Sequence, residues 1–323
     1  MKKTIAVILC LVMAVSMIGC GSSSSSASTS AEKTYVVGIC QLVQHVALDA
    51  ATQGFMDALK DKLGDSVTFD VQNASGDSNT CSTIVNNFIS ADVDLIMANA
   101  TPALQAAVAG TGDVPILGTS VTDYATALDI DNWNGATGYN VSGTSDLAPL
   151  DQQAAMLHEL FPDAKKVGLL YCSAEPNSKY QVDVITGYLT EMGYTCVEYT
   201  FADSNDVASV AQNACDGCDV IYIPTDNTAA SCTEAIRNVV EPAKKPVIAG
   251  EEGICASCGL ATLSISYYDL GYATGEMAYE VLANGADVAA MEVRFAPNVT
   301  KEYNAEMCAL LGVQMPEDYV AIQ

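Results

Sequence analysis

Short β-branched runs alternate with longer helical patterns along almost the whole chain, and that alternation restricts the fold more than any single motif does. Alternation of this kind yields parallel strands whose two faces are both covered by helices, a doubly wound α/β architecture. In the first half, strands are predicted over 35–39, 67–73, 95–98, 116–118 and 135–138, with helices over 47–63, 79–90 and 102–109. Leu48, Ala51, Phe55 and Leu59 recur at helical spacing, so the first of these helices buries one face. Over 141–149 the pattern pauses in Ser, Gly, Thr and Pro, then restarts as a second copy of the same plan. Helices follow over 152–160, 181–192, 206–214, 228–240 and 268–283, and strands over 166–171, 195–200, 220–223 and 246–249. The copies share architecture without visible sequence identity. Two such lobes, joined near 141–146, face each other across a cleft.

The amino terminus carries an export signal. Lys2 and Lys3 precede an apolar run from Ile5 to Met17, and Gly19 is the small residue needed before a signal-peptidase cut. The run is shorter than the ~20 residues that span a bilayer. Met17-Ile18-Gly19-Cys20 resembles a bacterial lipobox, with Met17 where Leu is more usual, so Cys20 is expected to carry a lipid anchor. Residues 21–30 are almost wholly Ser, Ala, Gly and Thr, which reads as a flexible tether.

What remains is about 290 residues, large enough for two lobes. Losing Lys2 and Lys3 takes the net charge from −26 to −28, which leaves no basic surface for nucleic acid and suits a soluble extracytoplasmic protein. Twelve cysteines become ten once Cys10 and Cys20 are set aside. Their spacing follows no small disulfide framework, and several replace Ala, Val or Ser in apolar runs, so buried free thiols are expected. Cys215/Cys218 precede one strand whereas Cys255/Cys258 follow another, which separates the pairs by roughly 15 Å and argues against a shared zinc.

Ligands of open α/β sheets gather beyond the carboxyl ends of strands. There, Asn99-Ala100-Thr101-Pro102 opens a helix, with Thr101 suited to cap it and Pro102 to its first turn; such an end can seat a carboxylate. Pro224-Thr225-Asp226-Asn227 repeats the arrangement with an acid, which either pairs with an ammonium or simply caps a helix. Together the two ends suggest a zwitterionic ligand. Glu251-Glu252 is a further acidic candidate. Enzyme signatures are missing: the only histidines are His45 and His158, Gly110-Thr111-Gly112 is no dinucleotide fingerprint, and no Gly-x-Ser-x-Gly occurs. No catalytic residue, metal or cofactor is expected, and a surface hydrolase using Glu251 is the weakest reading.

Several ordered segments carry a family likeness. Gly38 to Ala51 (GICQLVQHVALDAA) with Gly54-Phe55, Gln72-Asn73-Ala74, Thr101-Pro102-Ala103, Val121-Thr122-Asp123, Ser142 to Asp146, Pro224 to Asn227 and Tyr267 to Gly271 resemble the tryptophan/tyrosine-type ABC transporter substrate-binding lipoproteins. The resemblance implies a type I periplasmic-binding-protein fold: 1–19 signal peptide, 20–33 anchor and linker, 34–143 with about 265–291 as the first lobe, and 144–264 with about 292–323 as the second. It implies a protein outside the cytoplasm, lipid-anchored to the cell membrane, that closes on a small ligand and hands it to an ABC permease. The ligand would be an amino acid, often aromatic, or alternatively a purine, nucleoside or sugar. By matching segment, the cleft residues would be Gln41, His45, Thr101, Pro102, Thr122, Ser145, Asp146, Thr225, Asp226, Asn227 and Glu251. Thr101 would take the α-carboxylate and Asp226 or Asp146 the ammonium. Tyr171, Tyr180 and Tyr267 could form a stacking wall. Val46 and Glu251-Glu252-Gly253 depart from the family pattern.

Overall fold

The computed structural model describes residues 33–296 and 298–322; the signal, the serine tether and Cys20 lie outside them. Along the first half run β1 (Tyr35–Gln41), α1 (Val46–Leu63), β2 (Val67–Asn73), α2 (Ser78–Ser90), β3 (Leu95–Asn99), α3 (Thr101–Gly110), β4 (Ile116–Val121), α4 (Tyr124–Leu128) and β5 (Val141–Ser145). The second half runs α5 (Leu150–Leu160), β6 (Lys166–Cys172), α6 (Pro176–Glu191), β7 (Thr195–Phe201), α7 (Val207–Gly217), β8 (Val220–Ile223), α8 (Asn227–Ser231), α9 (Thr233–Val240), β9 (Val247–Ala249), α10 (Glu252–Ser257) and β10 (Ala261–Ser264). The chain finishes with α11 (Tyr267–Asn284), β11 (Arg294–Phe295), β12 (Thr300–Tyr303), α12 (Ala305–Leu311) and β13 (Val320–Ala321).

Two sheets result, in the orders β11-β5-β4-β3-β1-β2 and β13-β12-β10-β9-β8-β6-β7. The central five strands of each follow one plan, because 7-6-8-9-10 in the second repeats 2-1-3-4-5 in the first. All pairings in both sheets are parallel except β10 with β12. Strand residues alternate between two apolar layers: Val37 and Ile39 pack with Phe55 and Leu59 on one face, Cys40 with Phe88 and Leu104 on the other. Val167 and Leu169 likewise face Ile185 and Leu189, whereas Leu170 and Cys172 face Ala211 and Ile254. Each fully buried Phe or Leu here contributes roughly 1.5–3 kcal/mol. In both sheets the strand order reverses beside the first strand, between β1 and β3 and between β6 and β8, which is where the carboxyl ends open a crevice.

The chain passes between the sheets three times, after β5, after β10 and after β11. Following the second passage, α11 returns to the first sheet and lies against α1. That contact is glycine-lined: a Cβ on Gly271 would sit 1.9 Å from Ala51 O, and one on Gly54 2.1 Å from Tyr268 O. The two helices therefore meet backbone to backbone. Both sheets belong to one compact unit, Thr34–Gln323.

Three local expectations change. No strand forms over 135–138, where Ala136 makes only an isolated bridge to Glu292; the strand is Val141–Ser145, inside the segment read as a pause. Its hydroxyls find buried partners, Ser142 donating to Met291 O and Thr144 meeting Thr119 and Thr274. Gly143, at φ 146°, abuts the Gly118 backbone where no side chain fits. The helix expected over 228–240 breaks at Cys232 into α8 and α9, and α6 begins at Pro176 instead of 181. Among the described residues no helix is long and apolar enough to cross a membrane.

Candidate functional site

The carboxyl ends of the two sheets face one another. His45, at the amino end of α1, brings Nε2 to 3.3 Å from Asn227 Oδ1 at the start of α8, a hydrogen bond from one sheet's side to the other's. Burial holds the His45 imidazole below its ordinary value, while Asn227 and the carboxylates of Glu175 and Asp49 pull the other way. Beside this contact lies a cleft of about 210 Å³, with Leu42 and Pro102 on one wall and Cys172, Glu175 and Asn227 on the other. A second cleft, of about 380 Å³, places His45 and Val46 opposite Thr233 and Glu251.

Seven buried side-chain oxygens accept and donate nothing among the described residues; four of them, Asn99 Oδ1, Thr101 Oγ1, Ser120 Oγ and Asp146 Oδ1, stand at the carboxyl ends of the first sheet's strands, and Asn177 Oδ1 lies in the first turn of α6. A buried polar atom left without a partner costs about 1–3 kcal/mol, so a group of them marks a place for something polar. Thr101 and Asp146 follow β3 and β5, and Ser120 lies at the end of β4 between them, the three strands linked by Ala100 N–H to Thr119 O at 3.0 Å and Asp146 N–H to Val121 O at 3.3 Å. Backbone conformation is unusual here too, with Ala100 at φ 92° and Ser120 at φ 55°. Ala100, not Thr101, takes the cap position of α3; Thr101 is the first helical residue, Pro102 follows, and no side chain caps the end. The helix amino terminus and the Thr101 hydroxyl are thus both without a side-chain partner among the described residues.

Asp146 lies on the first passage between sheets, 4 % exposed. Tyr267, just past the second passage, donates its hydroxyl to Asp146 Oδ2 at 3.0 Å, and the Thr122 hydroxyl lies beside the same carboxylate. Burial pushes the Asp146 carboxyl up to about 6, against the pull of those hydroxyls. Burial also pushes Glu251 up to about 7, although its oxygens cap α10 by accepting from Gly253 N–H at 2.7 Å and Ile254 N–H at 2.5 Å.

Other predicted residues are spent inside their own lobe. Asp226 accepts from Ala229 N–H on Oδ1 and from Cys172 N–H and Ser178 Oγ on Oδ2, each at 2.7 Å, so both oxygens are occupied by the helix cap and its surroundings. Gln41 donates to Val43 O and Asp49 and accepts from Thr52 Oγ1. Ser145 donates to Thr122 O and receives Leu147 N–H, and Thr225 donates to Gly250 O while lying against Tyr267. Of the three tyrosines, Tyr171 is a core residue whose hydroxyl reaches Glu198 at 2.5 Å; Tyr180 is half-buried near Asp123 of the opposite lobe, and Tyr267 stands at the cleft. Cys215, Cys218, Cys255 and Cys258 share one apolar layer of the second sheet, and no group of three metal-binding side chains forms among the described residues.

The family model for ABC transporter substrate binding proteins matches residues 36–322. The chain belongs to that family. Among its relatives is a tyrosine-binding protein of Clostridioides difficile (strain R20291), 39% identical over 291 residues, which is 87% of this chain and 84% of the relative. Two solved structures are similar to this substrate-binding protein. An ABC domain from Streptococcus pneumonia in complex with L-Trp is 31% identical and superposes with a TM-score of 0.84, over 88% of this chain and 97% of that one. The ligand-free, open structure of a substrate-binding protein with adhesive properties from Clostridium difficile is 37% identical but superposes with a TM-score of only 0.68, over 90% and 99%.

Sequence reasoning missed the opening of α6. Glu175 accepts from Asn227 N–H and Nδ2 and from Thr228 N–H and Oγ1, tying α8 in place, and Asn177 donates to Glu175 and to Thr225 O while its own Oδ1 stays free. Pro176, a short turn past the end of β6, was the available signal, the same first-turn proline that marks Thr101-Pro102.

Proposed function

We propose that this substrate-binding protein captures a zwitterionic amino acid with an aromatic side chain between its two lobes and delivers it to an ABC permease. The observation that carries the reading is the pair of idle buried groups past the ends of β3 and β5, on either side of β4: Thr101 Oγ1 at an uncapped helix amino terminus, and Asp146 Oδ1. The first suits an α-carboxylate, the second an α-ammonium. Asp146 takes this role in preference to Asp226, whose oxygens are already occupied. The tyrosine-binding relative and the L-Trp complex support an aromatic ligand.

Mechanically, the reading is hinge closure. The interlobe His45–Asn227 contact and the better superposition on the liganded relative than on the open one support a closed form here. Ligand that touches both lobes favours that form by its differential affinity, and the permease reads it. No step in this cycle changes the ligand chemically. The protein would act outside the cytoplasm, held to the membrane by lipid on Cys20.

Calorimetric titration with L-tyrosine and L-tryptophan, and with analogues lacking either the ammonium or the carboxylate, tests the proposal. Binding of the parent amino acids with loss of about tenfold or more for each analogue is the expected result. Equal affinity for the analogues, or binding only of uncharged sugars or nucleosides, overturns it.

A further inference from the structure

Two of the ten described cysteines differ from the rest. Cys40 on β1 and Cys81 on α2 are both fully buried in one apolar layer as free thiols, and their side chains lie close enough to interact with each other. The packing that brings them together is specific. Gly38 and Cys40 lie two apart on one face of β1, while Cys81 and Phe88 lie two helical turns apart on one face of α2. Phe88 sits so close over Gly38 that a Cβ there would stand 2.6 Å from its ring, and Cys40 and Cys81 belong to the same layer between β1 and α2. Elsewhere the sulfurs turn back on nearby carbonyls: Cys218 donates to Ala214 O at 2.8 Å, Cys258 to Ile254 O at 3.4 Å and Cys172 to Ala202 O at 3.5 Å.

We infer that Cys40 and Cys81 are a disulfide-forming pair, joined when the chain folds in an oxidising extracytoplasmic medium. The chemistry is thiol–disulfide exchange with a small-molecule disulfide. One cysteine thiolate attacks the reagent, displacing one thiol and leaving a mixed disulfide; the second cysteine attacks that sulfur, closing the Cys40–Cys81 bond and releasing the second thiol. The protein thiols give up two electrons and two protons, and the reagent leaves as two thiols. Because both sulfurs are buried in the folded lobe, exchange occurs during folding, before α2 closes over β1, and the finished bond is out of reach of reductants.

The bond would brace the cleft. Between Cys40 and Cys81 the chain passes through the rim segment 74–77, where Ala74 N–H bonds Gln41 O and Gly76 N–H bonds Leu42 O, and Gly76 and Asp77 line the cleft beside Leu42. A cross-link there ties the segment at both ends.

The test is differential alkylation of the full chain, refolded with oxidised and reduced glutathione and read by mass spectrometry on the monomeric fraction. Free thiols are blocked in denaturant with one reagent, then disulfides are reduced and blocked with a second. Expected are second-reagent labels on Cys40 and Cys81 alone, a linked peptide joining them, its loss in Cys81→Ser, and a melting temperature at least about 5 °C above that of the Cys40→Ala/Cys81→Ala variant. First-reagent labels on both residues, or a link from either to another cysteine, overturn the inference.

Discussion

Replacing Asp146 by Asn separates a ligand-binding carboxylate from a structural one. Asn has the same shape, and its carbonyl oxygen can still accept the Tyr267 hydroxyl that now reaches Oδ2 at 3.0 Å. What disappears is the negative charge at Oδ1, the oxygen without a partner. At pH 7.5 the wild-type carboxyl, pushed up to about 6, is ionised. Removing one member of a buried, hydrogen-bonded charge pair costs about 2–5 kcal/mol, roughly a 30-fold to several-thousand-fold rise in Kd at about 1.4 kcal/mol per decade. The ligand-free protein should respond the opposite way. A rise from the ordinary 3.8 to about 6 corresponds to about 3 kcal/mol held against the folded state at neutral pH, and Asn removes that penalty. Isothermal titration with L-tyrosine and L-tryptophan, with melting curves of the ligand-free proteins, measures both effects. An affinity within threefold of wild type, or a loss of binding accompanied by a lower ligand-free melting temperature, would refute the assignment.

Thr101→Val should weaken binding by about tenfold with an unchanged or slightly raised melting temperature, since the hydroxyl it removes has no partner to lose; titration calorimetry beside differential scanning calorimetry checks this. Asp226→Ala should instead unfold the second lobe early. It strands the N–H groups of Cys172 and Ala229 and the Ser178 hydroxyl, at about 3 kcal/mol or more, so urea unfolding should show a large fall in midpoint. Acid should move stability and affinity in opposite directions. Asp146 and Glu251 hold their protons to about 6 and about 7 when folded, against 3.8 and 4.5 ordinarily. The folded chain thus binds more protons between those limits, and ligand-free stability falls as pH rises from about 4 to about 7. Ligand affinity, which needs ionised Asp146, should rise through about pH 6; melting curves and titrations across pH 5–8 that move together would contradict this.

Much of the fold was legible because burial writes itself into periodicity. The strand 67–73 and the helix faces carrying Phe55 and Leu59 emerge from spacing alone. Strand β5 was not legible, since Val-Ser-Gly-Thr-Ser looks like a linker until Thr119, Thr274 and Met291 O supply partners from distant segments. Within the site, Thr101 was readable as a polar residue past a strand end, whereas Asp146 came only from the family resemblance, because the strand before it was not legible. Which carboxylate is free was not readable, because Asp226 and Asp146 differ only in neighbours: Cys172 and Ser178 come from the end of a strand and a helix about fifty residues away along the chain and consume Asp226. Ser120 was hidden for another reason: its left-handed backbone accompanies a register shift between β4 and β5 at Gly118–Val121, which leaves no trace in composition.

The glycine seam between α1 and α11 has a mechanical corollary. Helix α11 starts at Tyr267, immediately after the Ile265–Ser266 passage, and α1 starts just after His45, which makes the contact with Asn227. With Gly54 and Gly271 pressed onto opposing main chain, the pair cannot slip like ordinary packed helices. Any swing of the lobes is then forced into the few residues flanking that rigid bar, and a displacement at Tyr267 arrives at His45 undiminished, as a lever transmits it.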